Sequence, residues 1–431
     1  MKFSRLAALA GAAILCALIS GCGDIFRPVA TPLPQPSPDP QNFRLAVVTS
    51  CQLDPNPPDP NNPCLASGVT SQAMDVNVSG DSIDGVVPVG SSPVFALVQN
   101  FSGLSATVTT ADFGNDTVTQ HSDAHSAGVP PVVSSAATVG LPSGAKPISI
   151  ASANGTFYVA ESGRNTVGVL GGFPMSLSTE IQVGQTPVNL ALLPNSKEVY
   201  VLNQGSNDVT VISTADNSVL ATVPVGTAPV WAVPSADSSR VFVVNRGSGT
   251  VSVIDATSHT VKATLTVGSS PNYAVFDAKN QRVLVTNSGS NTLSVINGDP
   301  TSPNPLTVIT TITVGTGPRS VTALADGSRI YVANTGSNSV SVISSLNLTV
   351  TKTISVGKSP VSIASDGNSA KVFTANRDSQ DVSVILTSSD SEAADASGNP
   401  TRIPAPLNPS CVPTSTTTCP RLSPIFVAVG G

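Results

Sequence analysis

Short runs of alternating or clustered β-branched residues recur along this chain, and each run is closed by Asn, Gly, Ser or Asp. Residues 315–357 contain three such runs, 330–333, 340–343 and 350–354, and a fourth follows Pro318. Alternation with a period of two, bounded by turn-forming residues, is typical of β-strands. The stretch is therefore predicted to hold four short strands, a sheet too small to bury both of its faces alone.

The same unit recurs at a nearly constant interval, mostly 40 to 42 residues. Each copy starts with a Gly followed three residues later by a Pro, at Pro93, Pro147, Pro187, Pro229, Pro271, Pro318 and Pro360. A turn of the type Asn-x-Gly-Ser-Asn follows the second strand at 203–207, 287–291 and 334–338, with Gly in the last place at 245–249. Asn and Gly tolerate the positive φ that tight hairpins need. Four strands in a repeated unit of this length predict an all-β fold, a β-propeller of four-stranded blades.

The segments Val199-Tyr-Val-Leu-Asn203 and Ile330-Tyr-Val-Ala-Asn334, followed by Asp208-Val-Thr-Val-Ile212 and Ser339-Val-Ser-Val-Ile343, carry a family resemblance. They resemble the YVTN-type 40-residue repeat β-propellers of prokaryotic surface-layer and secreted proteins. The resemblance is clear over about residues 156–386. It implies the propeller fold and says little about activity, because propellers host many unrelated functions.

A propeller must close, and the two ends of the chain are predicted to share one blade. Residues 43–49, 74–78 and 86–89 are predicted as its second, third and fourth strands, and residues 423–429, which match 92–98, as its first. Counting Pro424 gives eight starts, so eight blades are favoured, with seven, the usual number in the family, as the alternative. The fourth strand of the unit that begins at Pro360 is weakly marked, at residues 402–407.

The first residues resemble a bacterial lipoprotein signal. Lys2 and Arg5 precede an apolar run that is too short to span a bilayer, and Ile19-Ser-Gly-Cys22 resembles a lipobox. We expect a signal peptide at 1–21, a lipidated Cys22 with a Pro-rich extended stalk at 22–42, and the propeller at 43–431. The protein is thus expected to be exported and lipid-anchored to the cell envelope. Gly23 after the cysteine favours the outer membrane if the host is diderm.

Four further cysteines remain once Cys16 and Cys22 are assigned to the signal and the lipid site. Four thiols allow three pairings. The local pairing, Cys51 with Cys64 and Cys411 with Cys419, is predicted, since export leads to a compartment where disulfides persist. No CxxC motif or histidine cluster accompanies them, so no metal site is expected.

Few residues suggest chemistry. His121 and His125 are interpreted as part of a solvated loop, and Asp390, Glu392 and Asp395 as a solvated acidic loop. Neither a GxSxG elbow nor a DxDxDG calcium loop occurs in the sequence. No catalytic residue and no cofactor are therefore expected, and the absence of a basic stripe argues against nucleic acid.

We call the prolines that start the repeated units, with Pro424, the crossing prolines. The candidate binding residues are the aromatic residues two positions after them: Phe95, Trp231, Tyr273 and Phe426. They suit blade packing as well as ligand contact. The favoured function is a monomeric, lipid-anchored binding or scaffold module for a protein or glycan partner, and not an enzyme. The alternative is a lactonase-like or quinoprotein-like propeller enzyme with its site in the central channel.

Overall fold

The computed structural model describes residues 45–53, 64, 71–78, 82–101, 105–126, 129–368, 370–408, 419 and 421–429. The chain divides into two units, Met1–Pro40 and Gln41–Gly431, and every described residue belongs to the second unit. The predicted signal peptide, Cys22 and the stalk lie outside the described residues. None of the described helices is long and apolar enough to cross a membrane.

Nearly all regular structure in the described residues is antiparallel β-strand, and one 3₁₀ turn, η1 (Thr335–Ser337), accompanies it. The strands, in chain order, are β1 (Leu45–Cys51), β2 (Ser71–Asn77), β3 (Ser82–Val89), β4 (Pro93–Phe101), β5 (Ser105–Asp112), β6 (Thr117–Ser126), β7 (Val129–Val133), β8 (Ala137–Gly140), β9 (Pro147–Ala153), β10 (Thr156–Glu161), β11 (Thr166–Gly171), β12 (Ser176–Gln182), β13 (Pro187–Leu192), β14 (Glu198–Asn203), β15 (Asp208–Ser213), β16 (Val219–Pro224), β17 (Pro229–Pro234), β18 (Arg240–Asn245), β19 (Thr250–Asp255), β20 (Thr260–Thr266), β21 (Pro271–Asp277), β22 (Arg282–Asn287), β23 (Thr292–Asn297), β24 (Val308–Thr313), β25 (Pro318–Ala323), β26 (Arg329–Asn334), β27 (Ser339–Ser344), β28 (Thr349–Ser355), β29 (Pro360–Ser365), β30 (Lys371–Asn376), β31 (Asp381–Leu386), β32 (Ser391–Glu392), β33 (Ile403–Pro404) and β34 (Ser423–Val429).

Pairing joins the described strands into eight sheets, which are the blades of the propeller. Blade 1 has the order β34, β1, β2, β3, and blades 2 to 8 start at β4, β9, β13, β17, β21, β25 and β29. The first strand of every blade contacts the first strands of both neighbouring blades, so these eight strands form a closed central ring. The preferred count of eight blades is confirmed, and the alternative of seven is wrong.

The core lies between blades and follows the period-two alternation of the strands. On β14, Val199 and Val201 pack with buried residues of blade 3, including Tyr158. Their neighbours Tyr200 and Leu202 face the other way and pack with blade 5. Because successive side chains of a strand point to opposite faces, one apolar strand contributes to two interfaces.

Closure of the ring occurs in blade 1, as the sequence predicts. β34 pairs antiparallel with β1, with Val427 opposite Val48 and Val429 opposite Ala46. Val427 is buried in a cluster with Met74 of the same blade and Phe373 of blade 8. The last described strand thus completes the blade that the first three strands begin.

The Asn-x-Gly-Ser-Asn turns hold the blades through their side chains. In blade 5 the first residue, Asn245, is buried, and its Nδ2 donates to Thr250 Oγ1 at 3.1 Å and Ser252 Oγ at 2.9 Å. In blade 4 the last residue, Asn207, has φ 59°, and its Oδ1 accepts a hydrogen bond of 2.8 Å from the backbone N–H of Ala228 in the next blade. The left-handed conformation expected of this turn is therefore present, and the turn also links adjacent blades.

Two sequence interpretations of polar segments are wrong. Asp390 is no solvated residue: Arg329 of blade 7 forms an ion pair with it, and Tyr331 Oη donates to it at 2.6 Å. Glu392 accepts a hydrogen bond of 2.7 Å from Arg402 Nε. Asp395 is exposed and accepts hydrogen bonds from its own turn. Two residues of the acidic segment, Asp390 and Glu392, are therefore bound by arginines outside it. These contacts cannot be read from the local composition.

His121 and His125 belong to strand β6 and not to a loop. The Nε2 of His121 lies 2.9 Å from Asp75 Oδ2 across the interface of blades 1 and 2, and both side chains are fully buried. Burial, together with the charges of Asp75 and Asp84, raises the pKa of the nearby Asp123 to about 7. The fold thus pairs a histidine and a carboxylate that lie 46 residues apart in sequence.

The disulfide predicted between Cys51 and Cys64 is confirmed. Cys419 is also disulfide-bonded. Cys411 lies outside the described residues, so its predicted pairing with Cys419 stays a prediction.

Candidate functional site

A cavity of about 340 Å³ lies where the eight first strands begin, at the mouth of the central channel. Each first strand opens with a β-bulge directly after its crossing proline. In blade 5, for example, Pro229 pairs with Asn245 and Trp231 pairs with Val244, so Val230 has no partner across the ladder. A bulge re-aims the extra residue, and here all eight extra residues line the cavity.

The ring of bulged residues has two unlike parts. Six adjacent blades, from blade 8 through blade 1 to blade 5, contribute aliphatic side chains, and blades 6 and 7 contribute Asn272 and Arg319. The aliphatic members are Val361, Ile425, Val94, Ile148, Val188 and Val230. All but Val361 are partly exposed to the cavity. We call this set the aliphatic arc. The same blades also contribute polar lining residues, namely Asn189 and Gln204 of blade 4, Arg246 of blade 5 and Ser362 of blade 8.

The charged residues that line the cavity are arginines. Arg319 and Arg246 line the cavity, and Arg377 lies close enough to act on the charge of Arg319. Arg377 is paired with Asp378 at 2.8 Å, whereas the guanidinium groups of Arg319 and Arg246 have no ion-pair partner within the described part of the chain. Two arginines that are not ion-paired within the described residues thus lie at the channel mouth, on blades 5 and 7.

The environment of Arg319 disfavours its charge. Its pKa is lowered, first because the surrounding protein removes part of the hydration of the guanidinium, and then because Arg377 and Arg246 carry like charge nearby. Water still reaches the side chain, since it projects into the open cavity. An anion bound there would relieve the repulsion among the three arginines.

The four aromatic residues singled out from the sequence all line this cavity. They form two pairs: the ring centroids of Trp231 and Tyr273 lie 4.4 Å apart, and those of Phe95 and Phe426 lie 5.2 Å apart. Each pair spans two adjacent blades, and Trp231 Nε1 also donates to the backbone oxygen of Ala274 at 3.0 Å. These residues therefore pack blades together and present an aromatic surface to the cavity, while their binding role stays a prediction.

Tyr273 lies on blade 6, between the blades of Arg246 and Arg319. Burial raises the pKa of its phenol to about 12. The group consequently stays protonated through the neutral range, and its O–H is a hydrogen-bond donor at the site.

The sequence reasoning missed the arginines. The predicted binding residues stand two positions after the crossing prolines, whereas Arg319 and the other bulge residues that line the cavity follow the proline directly. Aligning the repeats at the proline shows Val, Ile, Val, Val, Asn, Arg, Val and Ile there, in which Asn272 and Arg319 stand out. Arg246 and Arg377 likewise share one repeat position, directly after the first Asn of their turns.

Comparison with known families gives one match. Residues 231–412, less than half of the chain, match the model of the family described as lactonase, 7-bladed beta-propeller. The chain is a β-propeller with lactonase similarity in its second half. The matched part runs from blade 5 through blade 8, and the structure has eight blades rather than the seven of the family description. No curated protein matches the chain.

Solved structures with a similar fold include three that cover most of this chain. A candidate 6-phosphogluconolactonase from Bacteroides fragilis has 13% identity and a TM-score of 0.53, covering 91% of this chain and 99% of its own. AztD from Citrobacter koseri has 11% identity and a TM-score of 0.58, covering 90% and 99%. The dihydro-heme d1 dehydrogenase NirN has 13% identity and a TM-score of 0.60, covering 85% and 74%. At these identities the likeness concerns the fold.

The family match corrects one expectation. The sequence reasoning concluded that the protein is not an enzyme, and the match to a family of lactonases contradicts that conclusion. The expectation rested on the lack of a constellation of carboxylates, histidines or metal ligands. Arginines around a channel can also serve catalysis, by stabilising a developing negative charge.

Proposed function

We propose that the protein is a lactonase-like enzyme whose site is the cavity at the channel mouth. The observation that carries this proposal is Arg319, a cation with no ion-pair partner among the described residues, which lines a cavity of small-molecule size. The lactonase match supports the reaction class and includes Arg319. Names of similar structures, among them a candidate 6-phosphogluconolactonase, agree with it.

Lactone hydrolysis requires stabilisation of the negative charge that develops on the carbonyl oxygen. Water adds to the carbonyl carbon, the ring C–O bond breaks, and the products are a hydroxyl and a carboxylate plus a proton released to solvent. The carbonyl oxygen becomes negative in the tetrahedral intermediate, and a fixed cation there is usually the largest single contribution to such catalysis. Arg319 would hold this oxygen, and Arg246 would attract the anionic product or an anionic substituent.

Tyr273 would assist at the leaving group. A phenol with a pKa of about 12 stays protonated at neutral pH, so it would give its proton to the oxygen of the breaking ring bond. The phenolate would regain a proton from the added water, whose other proton is the one released to solvent. Tyr273 lines the cavity beside Trp231, and its phenol is hydrogen-bonded with Ser320, another lining residue. The aromatic pair then orients the substrate by contact with its apolar face.

The test is hydrolysis of a lactone panel followed by titration of the released acid. Arg319→Gln is expected to lower kcat/KM by about 10²- to 10³-fold, the effect of removing one donor from an oxyanion site. Arg164→Gln is the matched control, because Arg164 is an exposed arginine paired with Glu180 at 3.0 Å in blade 3. Absence of turnover above the uncatalysed rate for every lactone, or equal rates in both variants, rejects the proposal.

We also propose that the enzyme works at the cell envelope, anchored through Cys22. Its support is the lipobox-like sequence before that residue. Cys22→Ser should move the protein from the membrane to the soluble fraction, because one acyl-bearing cysteine is the only anchor that the proposal provides. A variant that still sediments with membranes in high salt contradicts it. The expected protein or glycan partner and the monomeric state stay predictions.

A further inference from the structure

The aliphatic arc is a feature that lactone hydrolysis by itself does not require. A site for a polyhydroxylated sugar needs hydrogen-bonding groups around the ring, since each buried hydroxyl without a partner is costly. Here six adjacent blades present valine or isoleucine at the bulge, and two polar lining residues of these blades, Asn189 and Ser362, are buried and accept hydrogen bonds from backbone N–H groups. Five of the six aliphatic side chains are partly exposed, and apolar surface facing water in a concave site favours an apolar ligand group.

The arginines that line the cavity, Arg246 and Arg319, lie on blades 5 and 7, and uncharged polar residues, among them Gln204 of blade 4, also line it. Asn272 is already engaged, since its Nδ2 donates to the backbone oxygen of Arg319 at 3.1 Å and its Oδ1 accepts from Thr286 at 2.9 Å. Arg319 and Arg246 therefore supply the charge that faces the cavity. The arginines can therefore bind an anion or a carbonyl oxygen, and the aliphatic arc can bind a hydrocarbon chain.

We infer that the ligand of this cavity is amphiphilic: a lactone, or the carboxylate formed from it, that bears an aliphatic chain. The oxygen-bearing head lies at Arg319, and the chain lies along the arc, between the pairs Phe95–Phe426 and Trp231–Tyr273. The lactone part of this inference rests on the proposed function. The chain preference rests on the arc alone.

Occupancy can be measured directly, because Trp231 is the only tryptophan in the sequence and lines the cavity. The full-length protein is titrated with octanoate, butyrate, gluconate and octanol, and binding is followed by tryptophan fluorescence. The four affinities separate the contribution of the alkyl chain from that of the carboxylate charge. Each buried methylene strengthens binding about fourfold. Octanoate is therefore expected to bind at least about tenfold more tightly than butyrate and gluconate.

Two variants separate the roles of the aliphatic arc and of Arg319. Val188→Asn should reduce octanoate affinity at least about tenfold and leave butyrate unchanged, and Val188→Thr, which keeps the shape of valine, serves if the Asn variant does not fold. Arg319→Gln should remove the preference for octanoate over octanol. Val219→Asn is the matched control, because Val219 is 46% exposed on an outer strand away from the cavity. Thermal unfolding must match the wild type for each variant compared.

The outcomes distinguish this inference from the proposed function. Gluconate binding as tight as octanoate binding, an unchanged octanoate affinity in both Val188 variants, or no fluorescence response to any probe overturns the inference. Turnover of a sugar lactone with no gain from an alkyl substituent also overturns it and leaves the proposed function standing. Tight octanoate binding without hydrolysis of any lactone in the panel keeps the chain preference and rejects the enzyme.

Discussion

One buried position shows how a single side chain sets the local electrostatics. The first Asn of the turn in blades 4 to 8 donates to side-chain oxygens five and seven residues later, as Asn376 does to Asp381 and Ser383, both at 2.8 Å. Blade 2 has Asp112 in this place, and it accepts from Thr117 and Thr119. Burial raises the pKa of Asp112 to about 6. The carboxylate thus occupies a site built for an amide.

Blade 3 has a glutamate at the position that aspartate occupies in blade 2. Glu161 stands in this position, and burial raises its pKa to about 7. The residue seven places later is Gly168, and a Cβ there would lie 2.4 Å from Glu161 Oε1. Glycine therefore makes the room that the extra methylene of Glu161 needs, which blade 2 does not require.

Asp112→Asn is expected to stabilise the protein above pH 6. The folded-state pKa of Asp112, about 6, exceeds its ordinary value of 3.8, so between these values the unfolded chain has lost a proton that the folded chain keeps. Wild-type stability from this group therefore falls as pH rises through the window, by up to about 3 kcal/mol, and then stays low. An amide has no such dependence and can use the Thr117 and Thr119 hydroxyls, as Asn245 uses Thr250 and Ser252.

The measurement is thermal unfolding of both proteins from pH 3.5 to pH 8. The difference should favour the variant at pH 7.5 and vanish near pH 4. A constant difference over the whole range would show that Asp112 does not titrate as its burial implies.

At the scale of elements, the turn after each second strand joins two blades. Asn338 has φ 52°, and its Oδ1 accepts a hydrogen bond of 2.8 Å from the backbone N–H of Ser359. Gly249 holds the equivalent place in blade 5 with φ 66°. The backbone geometry is therefore constant, while the inter-blade hydrogen bond depends on the side chain.

Asn338→Ala and Asn338→Gly separate these contributions. Glycine loses the hydrogen bond to Ser359, and alanine loses it and also pays for the left-handed conformation. The free energy of unfolding should fall by about 1 kcal/mol for Gly and by about 1–2 kcal/mol more for Ala. Denaturant unfolding measures both, and equal losses in the two variants would contradict the role of the positive φ.

Local signals predicted elements well where every step of the argument was local. Gly-x-x-Pro starts and Asn-x-Gly-Ser-Asn turns are short-range features, and they sufficed for most blades, while closure followed from the match of residues 423–429 to residues 92–98. The pairing of His121 with Asp75, of Asp390 with Arg329, and the gathering of Arg246, Arg319 and Arg377 depend on which blades are neighbours. Such contacts can be predicted only when the order of the blades in the ring is known. The local composition therefore indicated solvated residues at His121 and Asp390 and gave no signal for the arginines.

For the whole molecule, the ring depends on one strand. β34 supplies the first strand of blade 1, and its Phe426 stacks on Phe95 of blade 2 while Val427 packs with blade 8. One segment thus contacts both neighbours of the closing blade as well as β1. Without it, the inner edge of β1 would be left unpaired, and an open edge is prone to intermolecular pairing.

Deleting residues 423–431 should therefore lower Tm by several degrees or more and promote association. Burial of Phe426 and Val427 contributes about 1.5–3 kcal/mol each, and the ladder with β1 is lost in addition. Differential scanning calorimetry measures the loss. A synthetic peptide of residues 421–431, added in trans, is the control and should restore part of the stability, since it offers the same pairing without the covalent link. A truncated protein with the Tm of the full chain would show that other contacts keep the ring closed. Ile425 and Phe426 line the cavity, and in that case the truncated protein should keep its ligand affinity.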